Sequence, residues 1–265
     1  MTTIALERPR QQQVEHQRIP LWRVSRVELR KMFDTRSGFW LMASIVIAAL
    51  VTTAAVIRFA PAADLTYYTY ATAIGFPMTV ILPIIAVLSI TGEWSQRTGL
   101  TTFTLVPHRN RVIAAKVLAS VTVGAASMLF ALAVGAAGNL VGTAITGTDL
   151  VWDVTVARAL QIVLGGLMCL LTGTMLGLLF RSSPVALVAY FVYSRLLPFV
   201  FGVLATTQNA FRDIRPWVDL NLTQGQLFDS SLTVEQWAHL GVTASIWLVL
   251  PALLALHLVT RSEVR

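Results

Sequence analysis

Six long apolar runs, at residues 38–57, 71–92, 114–140, 159–180, 184–204 and 237–260, alternate with shorter polar stretches along the chain. Each holds about 20 residues, and a helix of that length, rising about 1.5 Å per residue, matches a hydrocarbon core of about 30 Å. An open strand edge in lipid leaves backbone groups unpaired at several kcal/mol each, so spans of this kind fold as helices. The pattern predicts an all-α membrane protein, with a six-span transmembrane domain over residues 37–265. Pro77, Pro83, Pro198 and Pro251 fall inside the runs, where they kink a helix rather than end it. The third run fades through a glycine-rich stretch toward Gly147.

Ahead of the first run, residues 19–36 read as an amphipathic helix. At about 100° per residue Leu21, Trp22, Leu29, Met32 and Phe33 cluster on one face, with Arg23, Arg30, Lys31 and Asp34 opposite. Such a helix can lie in the headgroup plane, its basic face toward anionic lipid. A solvated extension of the first span is the plainer alternative. Residues 1–18 are polar and are expected to be a disordered cytoplasmic tail. Residues 1–37 lack the apolar core of a signal peptide, so the first span is expected to act as its own insertion signal. Residues 205–236 carry Trp217, Leu220, Leu222, Leu227 and Phe228 among polar neighbours, which suits short helices dipping into the interface as well as a surface loop.

Composition agrees with lipid as the solvent. Hydrophobic residues make up 55% of the chain and charged ones 12%, about half the charged fraction of a soluble domain. The net charge of +7 does not point to nucleic acid, because the basic residues gather at span ends. Arg8, Arg10, Arg18, Arg23, Arg26, Arg30, Lys31 and Arg36 precede the first span; Arg97, Arg109, Arg111 and Lys116 follow the second; Arg181, Arg261 and Arg265 fall on the same side. Only Arg58, Arg158, Arg212 and Arg215 fall on the other. Fifteen against four predicts that the first group, with both termini, is cytoplasmic, and that the protein resides in the cell membrane.

The chemistry is sparse. No phosphate-binding loop, zinc-protease or nucleophile-elbow motif occurs, so ATP hydrolysis is not expected of this chain. His16, His108, His239 and His257 are scattered, and the lone Cys169 sits in an apolar run, which suggests neither a metal site nor an intrachain disulfide. Arg195 stands out midway along the fifth run. A charge there costs at least a few kcal/mol unless it faces the bundle interior or a wet cavity. It can form part of a translocation path with Tyr193 and Asn139. It can equally be a structural arginine satisfied by those residues or by carbonyls freed near Pro198. Gly135, Gly138, Gly142, Gly173 and Gly177 have the small-residue spacing of close helix contacts, within one chain by default and across a dimer seam as the alternative.

The segment between the second and third runs is the most specific. It carries Glu93, then Arg97 and Gly99, then Leu105-Val-Pro107-His-Arg109 and Arg111, with Lys116 opening the third span. Along essentially the whole chain this organisation resembles the membrane subunit of type-2 ABC exporters. The resemblance implies a permease that pairs with a second copy or a sister permease and with two copies of a separate ATPase. ATP and Mg would be held by that ATPase, and no cofactor by this chain. It also implies a coupling helix over about 98–106 that docks on the ATPase, ended by Pro107. Glu93 and Arg97 are spaced to pair on one helix face, and Phe103 and Leu105 offer apolar anchors. Arg109 and Arg111 serve either docking or phospholipid headgroups. The rival reading is a membrane anchor or immunity-type protein that binds a partner and transports nothing.

The topology is open to a direct test. With Cys169→Ala as background, cysteines at positions 3 and 263 are expected to resist a membrane-impermeant thiol reagent on intact cells, while cysteines within 205–236 react. Labelling of either terminus from outside overturns the orientation.

Overall fold

A computed structural model describes residues 20–95 and 109–261, with side chains described over 20–92 and 111–259. The predicted tail 1–18 lies outside the described residues. Among the described residues the secondary structure is helical, without strands. Helix α1 is Leu21–Asp34 and α2 is Arg36–Phe59, separated by Thr35, whose hydroxyl caps α2 by accepting from the Gly38 N–H at 3.1 Å. Next come α3 (Tyr67–Ser95), α4 (Arg109–Thr146) and α5 (Val156–Phe180). A long helix α6 (Ser183–Thr207), two short ones, α7 (Asn209–Val218) and α8 (Leu220–Asp229), and a last long helix α9 beginning at Val234 and ending at Arg261 complete the order. Six of these, α2 to α6 and α9, are long and apolar enough to cross a membrane. They coincide with the six predicted runs, the largest difference being α4. That helix continues through its glycines to Thr146 and ends on Gly147, whose φ of +69° a residue with a side chain rarely adopts.

Helix α5 is the hub. Over its most apolar stretch 72% of residues are buried, against 6% for α6 and 11% for α2. Glycines set the closeness of its packing on α3. A Cβ at Gly173 would stand 2.6 Å from the Pro83 carbonyl oxygen, and one at Gly177 3.2 Å from Ile90. Gly135, Gly138 and Gly142 of α4 likewise lie against Tyr70 of α3, which is fully buried. Both small-residue stripes are thus used inside one chain. The outward faces of α2 and α6 are apolar and open, with Trp40, Val51, Val188 and Phe199 exposed, a surface suited to lipid.

Helix α1 differs from its expected packing. The stripe it buries is Ser25, Glu28 and Met32, whereas Trp22 and Phe33 from the predicted apolar face are exposed. The apolar arc is wider than the strip the bundle covers, so one edge meets protein and the other is left open.

The glycine contacts predict opposite signs for two alanine substitutions. Gly173→Ala presses on α3 backbone, which cannot rotate away, and should cost about 1–3 kcal/mol. Gly202→Ala has open space around its Cβ and should be neutral or slightly stabilising through helix propensity. Melting temperatures in detergent decide the matter: equal values for the two variants would remove the close-contact account.

Candidate functional site

The two most irregular helices, α6 and α9, each contain a π-turn, Val192–Leu196 and Ser245–Val249, placed two residues before Pro198 and Pro251. In α6 the Leu197 N–H bonds back to the Val192 carbonyl in the π register. The next donor in that register belongs to Pro198, which has none, so the Tyr193 carbonyl is free to accept from the Asn221 side chain of α8 at 3.1 Å. A similar exchange occurs across the gap. Pro83 withholds the N–H that the Thr79 carbonyl of α3 needs, and the Tyr190 hydroxyl of α6 donates to it at 2.5 Å.

Helix α8 reaches this position because it inserts into the bundle, burying Leu220, Thr223, Gln224 and Leu227. Its start is capped by Asp219, which accepts from the Leu222 N–H at 3.1 Å and pairs with Arg215 at 3.0 Å. Midway, Gln224 donates to the Gly165 carbonyl at 3.0 Å and Thr223 meets Thr243 of α9 at 2.8 Å. At its end the buried Arg158 donates to the carbonyls of Leu227, Phe228 and Ser230, and Tyr68 donates to the Asp229 carbonyl at 2.6 Å. A guanidinium suits the carbonyl-rich end of a helix. Trp247, inside the α9 π-turn, donates to the Val218 carbonyl at 2.7 Å.

Between α3, α5, α6 and α8 these contacts leave a cavity of about 310 Å³. Arg195, Tyr193, Asn221 and Gln224 line it with Phe76 and Phe228. Arg195 is twelve residues from either end of α6, about 18 Å each way at 1.5 Å per residue. Its guanidinium stands over the Phe76 ring, 5.5 Å from the centroid. Among the described residues it has neither a hydrogen bond nor an ion pair, and no carboxylate lines the cavity. The other lining arginine, Arg215, is matched by the buried Asp219. Among the described residues the buried Tyr193 hydroxyl has no hydrogen-bond partner, and its ring centroid is 5.8 Å from that of Trp247. Of the predicted path residues, Arg195 and Tyr193 come together here. Asn139 does not: it is fully buried on α4 and donates to the Val151 carbonyl at 2.9 Å, holding the loop between α4 and α5. Its polar amide serves a loop end, which periodicity alone does not distinguish from a cavity wall.

A second cavity, of about 370 Å³, opens at the α1 end of the bundle between α1, α2, α3 and α4. Its wall includes an ion-pair cluster absent from the sequence reading. Glu28 of α1 accepts from Lys116 of α4 at 2.6 Å and from Lys31 at 2.7 Å, with Glu28 and Lys116 both buried. Burial alone would raise the Glu28 carboxyl, but the charges and hydrogen bonds of the two lysines outweigh it and hold it below the usual glutamate range. The signal was a carboxylate beside the apolar side of α1, with a lysine at the head of the third run. Each charge offsets part of the desolvation cost of the other. This cluster stands at the root of the proposed coupling segment, since α3 ends at Ser95 and α4 begins at Arg109. Glu93 falls in the last turn of α3, and Arg109 and Arg111 in the first turn of α4. Arg97, Gly99, Phe103, Leu105 and Pro107 lie outside the described residues.

The chain matches no protein-family model and no curated protein.

Because the Glu28 carboxyl is held down in the folded state, its contribution to stability is complete above the unfolded value. It is lost as pH falls through the folded one. Acid melting curves should therefore steepen below about pH 4.3, the ordinary glutamate value. Glu28→Gln should flatten that dependence and cost roughly 3 kcal/mol at pH 7, as breaking a buried pair does. An unchanged acid limb in the variant would show that Lys116 is balanced elsewhere.

Proposed function

We propose that this chain is the permease subunit of an ATP-driven exporter, paired with a second permease copy or a sister chain and driven by a separate ATPase. In this reading the α1 end is cytoplasmic, which the fifteen-to-four basic asymmetry supports. Helix α1 lies along the headgroups with Trp22 and Phe33 turned to lipid. The ATPase, carrying ATP and Mg, docks on the segment from Glu93 to Arg111.

The observation that carries the reading is the cavity at half depth with Arg195 in its wall. A passive anchor gains nothing from a charge at the centre of a span, and that placement costs at least a few kcal/mol. A permease needs polar groups there to lower the barrier for cargo. Alternating access would work through three contacts. Closure of the ATPase would push on the ends of α3 and α4, and the Glu28–Lys116 pair ties α1 to that motion. Midway along α3, Phe76 and Thr79 line the cavity.

The test is purification in mild detergent and identification of what accompanies the chain. An ATPase is expected, its hydrolysis stimulated by the permease. Glu93→Ala, or Phe103→Ala with Leu105→Ala, should abolish stimulation while leaving membrane insertion intact, because these positions lie outside the hydrocarbon. Wild-type protein that recovers no ATPase, and shows no ATP-dependent flux, would favour the anchor reading.

A further inference from the structure

We infer that the mid-depth cavity binds the anionic head of an amphiphile, with Arg195 as the charge that selects it. As a substrate site it rests on the permease reading; as a binding site it does not, and the test below separates the two. There is an imbalance between Arg195 and the buried charges. Each charge buried among the described side chains has a polar or charged match: Glu28 has Lys31 and Lys116, Asp219 has Arg215, and Arg158 has carbonyls. Arg195, exposed on the open face of α6 in the single chain, has among the described residues only the face of Phe76, and that ring is itself 66% exposed. A cation–π contact with an exposed ring is worth about 0.5–1 kcal/mol, well short of the cost of a guanidinium at the centre of a span. An anion would close the gap, since a guanidinium binds carboxylate or phosphate through two parallel hydrogen bonds.

The remainder of the cavity says what the anion is attached to. Its walls divide between donors and acceptors, such as Asn221 and Gln224, and aromatic faces, Phe76 and Phe228. Asn221 and Gln224 are already engaged with backbone carbonyls, so they shape the wall and leave Arg195 as the recognising group. About 310 Å³ holds a head group and a few methylenes but not a long chain. On the outside, Leu196 and Phe199 of α6 continue an exposed apolar face beside Arg195, along which a hydrocarbon tail can lie. A small hydrophilic anion would leave that face unused.

The experiment uses the purified full chain in nanodiscs of neutral phosphatidylcholine, with oleate as probe and oleyl alcohol as its uncharged control. Wild type should bind oleate at least tenfold more tightly than the alcohol. Arg195→Met should lose that preference and Arg195→Lys should keep most of it; Arg195→Gln gives the same contrast if the Met variant does not fold. Competition by phosphatidylglycerol identifies the source of the ligand. Displacement of oleate makes the site a resident place for anionic bilayer lipid. No displacement makes it selective for a single-chain amphiphile. Equal binding of oleate and alcohol by wild type overturns the proposal, as does undiminished oleate preference in both uncharged variants. It is also overturned if loss of Arg195 splits a dimer in size-exclusion chromatography while oleate binding persists, for then the charge meets a second copy. Oleate binding by a chain that recovers no ATPase would retain the binding site and remove the permease reading.

Discussion

A backbone carbonyl deep in an apolar bundle must find a donor, and a proline one turn further on takes its usual donor away. Much of the second half of this protein is arranged around that demand. Pro198 deprives the Tyr193 carbonyl and Asn221 answers it; Pro83 deprives the Thr79 carbonyl and Tyr190 answers it. Both replacements come from side chains on other helices, so each irregularity becomes a tertiary contact. The first pulls α8 into the bundle and the second joins α6 to α3. Helices held by such bridges can stay apart where helices packed on glycine cannot, and the cavity occupies the space between them.

The contrast with the first half is one of packing chemistry. Helices α3, α4 and α5 approach closely because glycines remove the side chains that would separate them, as Gly173 does at Pro83 and Gly138 at Tyr70. Close packing of this kind is stiff, since any shift runs into backbone. The α6–α8 region is joined by a few directed hydrogen bonds around π-turns, where the helix carries an extra residue per turn. A bundle with one rigid core and one bridged wall concentrates its freedom to move in the wall, which is where Arg195 sits.

The spans were legible because their apolar runs are long and have no competing explanation. Arg195 was legible for the same reason: one charge inside twenty apolar residues is conspicuous. Helix α8 was only half legible. Leu220 and Leu227 are seven apart, as two turns of a buried face require, but Asn221 and Gln224 beside them look like a solvated surface until their carbonyl partners on α6 and α5 are seen. Those partners are 28 and 59 residues distant in sequence, beyond the reach of any local pattern. Glu28 was hidden differently. On α1 it neighbours Arg26, Arg30 and Lys31, and nothing local says that its match is Lys116, 88 residues further on. Asn139 misled because an amide in a span suggests a polar path, while this one reaches a loop carbonyl near the helix end.

Two ways of placing a charge within an apolar bundle therefore coexist in one chain, one buried and one exposed at mid-span. At the α1 end, Glu28 and Lys116 neutralise each other in a direct contact of 2.6 Å. Such a pair contributes less to net stability than to geometry, because its Coulomb gain is largely offset by desolvation. What it secures is the position of α1 on α4, near the ends of α3 and α4. At mid-depth the chain keeps Arg195 unmatched among the described residues. The cavity wall it shares with Thr79, Thr172 and Leu222 carries no carboxylate to neutralise it. A charge left at mid-span with one ring contact is better explained by a ligand that completes it than by the fold, since the contact with Phe76 joins α6 to α3 only weakly.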